Sequence, residues 1–204
     1  VKSYAVHGLK IIKLLWVELE EEYKARQSLK QFFDIKTEVG GAPNLAQKAI
    51  ISQLDDTFVD YQTDLYKMNN LNLSPNITQI YDSVFKKGFD FQEENITVNG
   101  CHLIIKKGGL HGFTKEGEYN EVFDYDVTSY YPSIILQCKL GTPKFRNIYK
   151  NIYDKRIYLK KNKLPGADAL KLVLNSLYGK LKDEQWGKPQ IKAPHIALSI
   201  CFLG

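Results

Sequence analysis

Cysteine is scarce in this chain. There are three in 204 residues, Cys101, Cys138 and Cys201, and none stands at a spacing that would hold a metal. An odd, scattered set builds neither a disulfide framework nor a zinc module, and reads as reduced intracellular thiols. Long apolar runs are lacking too. None approaches the roughly 20 residues of a membrane-spanning helix, and no signal peptide is visible. The chain is therefore expected to work inside the cell, without a membrane and without secretion. No Met opens it, and it stops in the apolar run Ala197–Leu203. Such ends are expected of a piece of a longer polypeptide. Acidic residues thin out toward the C-terminus. Residues 139–204 carry 14 Lys/Arg against 4 Asp/Glu, which leaves 14 against 19 for residues 1–138. A basic final third suits a polyanionic partner. A solvated Lys-rich surface would have the same composition.

What is present is enough for a sizeable core: 44% hydrophobic residues and 12% aromatics. Leu9, Ile12, Trp16, Leu19 and Tyr23 recur at 3- and 4-residue spacing, which predicts an amphipathic, core-packing helix over residues 8–30. Gly40-Gly41-Ala42-Pro43 reads as a loop, with Asn44 capping a helix over Leu45, Ala46, Ala49, Ile50 and Leu54. Ser74-Pro75 gives a helix start, Ile77, Ile80, Tyr81, Val84 and Phe85 its buried stripe, and Gly88 its end. Asn95–Val98, Asn99-Gly100 and Cys101–Ile105 predict a β-hairpin with a type I′ turn. Gly108–Gly112 reads as a glycine-rich connection able to approach a second backbone closely. His111 and His195 lack ligand partners at metal spacing and read as hydrogen-bonded or packing residues.

The most informative stretch is Phe123–Ile135. Alternation predicts a strand over Val122–Val127 with Asp124 and Asp126 on one face and Phe123, Tyr125 and Val127 on the other. Pro132 is expected to hold Tyr131 out of the helical region and to open a helix through Ile134 and Ile135. A carboxylate at a strand end, with its oxygens free, is the hard ligand that metal-assisted phosphoryl transfer requires. Downstream, Arg156 and Lys160 share one face of a Lys- and Tyr-rich helix. Lys171, Asn175 and Tyr178 share a face of the next helix, after the turn Leu164-Pro165-Gly166. Two such helices make a cationic cradle for a triphosphate. Residues 191–203 are expected to return as strand or helix.

Asp126-x-x-Ser129-x-Tyr131-Pro132-Ser133 resembles the first palm motif of family B DNA polymerases, with Tyr130 at a position usually held by Leu. Lys171–Gly179 resembles their fingers motif K-x-x-x-N-S-x-Y-G. The resemblance implies an α/β (α+β) fold: a partial palm with an antiparallel sheet plus two-helix fingers, preceded by a helical segment. The implied divisions are residues 1–90, the end of an exonuclease-like region; 91–138, the first part of the palm; 139–181, the fingers; and 182–204, a return into the palm. Tyr4–Gly8 is similar to the last exonuclease motif, Y-x-x-x-D, with Gly8 at the Asp position, which implies impaired proofreading.

The activity implied is template-directed transfer of deoxynucleotides to a primer 3′-hydroxyl, on primer–template DNA and dNTPs, with a terminal protein or processivity factor as further partners. Asp126 would be the catalytic metal ligand of a two-Mg2+ site. Tyr131 would lie under the sugar and exclude a 2′-hydroxyl. Arg156, Lys160 and Lys171 would bind the triphosphate, and Asn175 and Tyr178 the nascent base pair. Gly108, Gly109 and Gly179 would lie against DNA. A phage or linear-plasmid replicon fits the compact fingers and the Gly108–Gly112 loop. The second palm carboxylate of the family has no counterpart after Lys171, where Asp183 and Glu184 stand outside any such pattern, so these 204 residues alone are expected to be inactive. Two other readings stay open: a non-catalytic nucleic-acid-binding remnant, and a Lys-rich interaction domain with chance motif matches.

Overall fold

The structure, a computed structural model, describes residues 2–37, 40–54, 58–59, 72, 74–106, 109–114, 117–182 and 191–203. Helix and sheet are mixed in an α+β arrangement. In chain order the elements are α1 (Lys2–Phe33), α2 (Ala42–Ile51), β1 (Phe58–Val59), α3 (Pro75–Lys87), β2 (Glu93–Val98), β3 (Cys101–Lys106), β4 (Gly109–Phe113), α4 (Tyr130–Gln137), α5 (Pro143–Lys161), α6 (Ala167–Lys182), β5 (Ile191–Lys192) and α7 (Pro194–Leu203).

Helix α6 is the hub. It packs against α2, α5, α7, α1 and α4. The reason lies in its apolar spacing: Ala169, Leu170, Val173, Leu174, Leu177 and Leu181 recur three or four apart and are all buried. Helix α7 is apolar all round and is buried from His195 to Cys201. One core cluster runs from Leu29 to Ile200. Tyr149 of α5 is fully buried within it, and its hydroxyl donates to the Leu174 carbonyl of α6 at 2.9 Å. Burial pushes the Tyr149 phenol far above its usual range. Thr142 caps α5 by accepting from the Phe145 N–H at 3.2 Å.

The β2–β3–β4 sheet is antiparallel, with Val98 opposite Cys101 and His102 opposite Phe113. Asn99 and Gly100 both have positive φ, 52° and 80°, as a type I′ turn requires. β1 and β5 form a separate two-residue parallel pair. Helix α3 starts on Ser74 with Pro75 in its first turn and ends on Gly88 at φ 52°. These two signals were legible in the sequence.

Several expectations fail. Glu121–Val127 is not a strand. Val122, Phe123 and Tyr125 are 77–89% exposed, and among the described residues no strand lies alongside to supply a hydrogen-bonding ladder. Helix α4 begins at Tyr130, so Tyr131 is helical and Pro132 sits in the first turn. That position tolerates proline because its N–H would have no intrahelical acceptor. Gly109–Phe113 is not a loop but a strand, added to the hairpin by β3. The cap of α2 is Gly41, with Pro43 behind it, and Asn44 lies inside the helix. The predicted stripe of α1 is solvent-facing, with Leu9, Ile12, Trp16, Leu19 and Tyr23 48–66% exposed. Only the C-terminal end of α1 reaches the core, through Leu29 and Phe33.

Candidate nucleotide-binding cleft

A cleft of about 500 Å³ opens between the turn before α4 and the α5–α6 pair. Asp126 to Tyr131 form one wall. Arg156 and Lys160 of α5, with Lys171 and Asn175 of α6, form the other. Helical periodicity explains the second wall. Residues four apart lie above one another on a helix surface; Lys160, Lys171 and Asn175 lie off the buried stripes of α5 and α6, whereas Arg156 belongs to the buried stripe of α5 and reaches the cleft from within it. A short turn joins the two helices, with Lys163 at φ 54° and Gly166 at φ 96°. The Tyr149 hydroxyl then fixes one helix against the backbone of the next.

The first wall depends on Ser129. It precedes α4 in the left-handed conformation, φ 56° and ψ 51°. Its carbonyl accepts the Ser133 N–H at 2.9 Å. Its hydroxyl caps nothing in α4. Instead it accepts a hydrogen bond from Arg156 Nη1. Arg156 is 92% buried, being 8% exposed, whereas Asp126, Lys160, Lys171 and Asn175 are exposed to the cleft. Tyr131 is half-buried and stacks on Tyr178, with centroids 5.1 Å apart and planes 27° from parallel. The Tyr178 hydroxyl lies 3.0 Å from Cys201 Sγ. Burial first, then that contact, raises the Tyr178 pKa well above a free phenol's.

Three cations thus face one carboxylate, Asp126. Among the described residues none of the three is held in an ion pair with it or with another acid. A concave surface with unneutralised positive charge attracts and holds an anion. Asn175 and the backbone from Val127 to Tyr130 add neutral hydrogen-bonding groups.

Of the residues singled out from the sequence, Asp126, Tyr131, Arg156, Lys160, Lys171 and Asn175 are brought together here. Tyr178 lies one layer behind, against Tyr131. Gly179 does not line the cleft; a Cβ there would meet Pro43 of α2 at 3.8 Å. Gly109 opens β4, in the sheet, and Gly108 lies outside the described residues, as do Asp183 and Glu184. Tyr4 and Gly8 belong to α1, none of whose described side chains lines the cleft. Sequence reasoning missed the side chain of Ser129 and the anchoring role of Tyr149. A serine in the left-handed region leaves no sequence signal, because that conformation is ordinarily glycine's. Among the described residues no group of three potential His, Cys, Asp or Glu ligands is present, and no helix is long and apolar enough to cross a membrane. Comparison with protein-family models, curated proteins and solved structures gave no match to this chain.

Proposed function

We propose that this chain carries the incoming-nucleotide side of a DNA polymerase site of the family B type, a partial palm with its two-helix fingers. One observation carries the reading: a single cleft lined by Asp126 and Tyr131 on one wall and by Arg156, Lys160 and Lys171 on the other. The two motifs that supply these walls are 40 residues apart in sequence (131 to 171), and nothing in their local patterns requires them to meet.

In this reading Lys160 and Lys171 take the triphosphate by charge-assisted hydrogen bonds. Tyr131, braced by Tyr178, sits under the sugar, where bulk excludes a 2′-hydroxyl. Asn175 meets the nascent base pair. Mg2+ is ordinarily held by one or two carboxylates together with substrate phosphates. Asp126 is a hard oxygen ligand on the same cleft and fits that role, and the ion would supply neutralisation of the triphosphate charge. Transfer to a primer needs a second carboxylate to complete a two-metal clamp, so binding without extension is the expected behaviour of these residues by themselves. Binding without transfer is also the second reading, a nucleic-acid-binding remnant. Asp126 is the one carboxylate among the described residues of the cleft wall, which favours it.

Isothermal titration with dATP, with and without Mg2+, tests the proposal. Binding at least tenfold tighter with Mg2+, and weakening with added salt, is expected. No binding in either condition would remove the nucleotide reading. Templated primer extension by these residues alone would remove both the expected inactivity and the remnant reading.

A further inference from the structure

Resting on that nucleotide-site reading, we propose that Arg156 is a positioning residue, which latches the Ser129 turn and so sets where Asp126 and Tyr131 stand, while Lys160 and Lys171 carry the phosphate contacts. Three observations separate Arg156 from its neighbours. It is 92% buried, being 8% exposed, whereas Lys160 and Lys171 are exposed to the cleft. Its Nη1 already donates to Ser129 Oγ, across the cleft from α5 to the start of α4. Its Nε is buried and has no hydrogen-bond partner, so part of the fork remains unsatisfied inside the protein.

Ser129 supplies the other half. A serine before a helix ordinarily turns its hydroxyl onto an N–H of the first turn. Here that bond is absent, and the residue holds a left-handed backbone, φ 56° and ψ 51°, that non-glycine residues seldom adopt. The Ser129 side chain is therefore held from outside α4, by the guanidinium, while the backbone of the turn is tied to α4 by Ser133, which donates its N–H to the Ser129 carbonyl at 2.9 Å and its hydroxyl to the Thr128 carbonyl at 3.4 Å. Asp126 lies three residues before it and Tyr131 two after, so a relaxed Ser129 would re-aim both. Lysine cannot substitute for Arg156, because one ammonium on a flexible stem lacks the planar fork that reaches Ser129 and still presents a second donor.

Ser129→Ala, Arg156→Lys and the double variant test this by dATP titration with and without Mg2+. Ser129→Ala removes a hydroxyl and no charge. It should cut the Mg2+-dependent gain in dATP affinity by about fivefold, because Asp126 is re-aimed, and it should also narrow the preference for dATP over ATP, because Tyr131 moves with the turn. The double variant should lose no more than Arg156→Lys alone. A Ser129→Ala gain equal to the wild type's, or losses that multiply in the double variant, would overturn the latch. Should the wild-type chain bind no dATP, the nucleotide reading fails, and the latch is still tested by urea unfolding of the same four proteins: coupled midpoints support it and additive ones overturn it. If Arg156→Lys does not fold, Ser129→Gly replaces it. Glycine accepts the left-handed turn freely, so it should unfold at higher urea than Ser129→Ala, and a midpoint no higher would refute the strained, externally held turn.

Discussion

Tyr149→Phe is the perturbation whose size can be worked out most directly. It removes one hydroxyl and leaves the ring, which stacks on Phe145 with centroids 5.8 Å apart. What is lost is the 2.9 Å hydrogen bond to the Leu174 carbonyl, in a fully buried place. The net worth of such a bond is about 1 kcal/mol, which in a chain of this size is roughly 2–4 °C of Tm. The pH dependence adds a second signature. Burial raises the Tyr149 pKa in the folded state, while an unfolded tyrosine ionises near pH 10. The stabilisation is complete below that value. It declines as pH rises further, because the unfolded chain releases a proton that the folded one retains. The decline is about 1.4 kcal/mol per pH unit for one group. The variant lacks this group, so the wild-type advantage should close near pH 11 and invert above it. Urea unfolding followed by far-UV circular dichroism at pH 7, 9, 10 and 11 measures both effects. A gap that stays constant through pH 11, or no gap at pH 7, would refute the buried hydroxyl as the tie between the two cationic helices.

Three further outcomes follow from the same geometry. Lys171→Ala should weaken Mg2+–dATP binding by about tenfold, one exposed charge-assisted contact, with Tm nearly unchanged; equal affinity by titration would exclude Lys171 from the anion site. Tyr131→Val should narrow the preference for dATP over ATP, measured as the ratio of their dissociation constants, and an unchanged ratio would dismiss Tyr131 as the steric filter. Gly166→Ala should cost roughly 2 kcal/mol, because φ is +96° and the new Cβ would lie 2.6 Å from Phe32 Cζ. A thermal midpoint within about 1 °C of the wild type's would refute both the backbone strain and the close approach of Phe32.

Local chemistry was legible in the sequence wherever a residue type dictates its own backbone. Asn99-Gly100 wrote the hairpin turn, and Ser74-Pro75 with Gly88 wrote the limits of α3. Helical spacing also placed Arg156 with Lys160, and Lys171 with Asn175, on common faces. Patterns that need a partner were not legible in the same way. The alternation of Phe123, Tyr125 and Val127 suits a pleated strand, but a strand exists only when another backbone completes its hydrogen bonds. The heptad-like spacing in α1 marks an apolar stripe, yet spacing cannot say what covers it. Burial of Arg156 and the left-handed Ser129 arise from the meeting of α5 with the turn before α4, a long-range event with no local trace.

Helix α1 has a mechanical consequence. Its 32 residues make a rod of about 48 Å, and among the described residues the contacts that hold it to the core gather at its C-terminal end. The clamp is Leu29 and Phe33 in the core, the Arg26 bond to the Thr37 carbonyl at 2.9 Å, and Phe32, which lies under Lys155 Nζ at 3.9 Å and beside Gly166. One degree of tilt at the clamp displaces the far end by roughly 0.8 Å on a rod of that length. A load at the tip is geared down by the same ratio into a small, forceful push on the bend that joins α5 to α6, and so on the spacing of the two cationic helices.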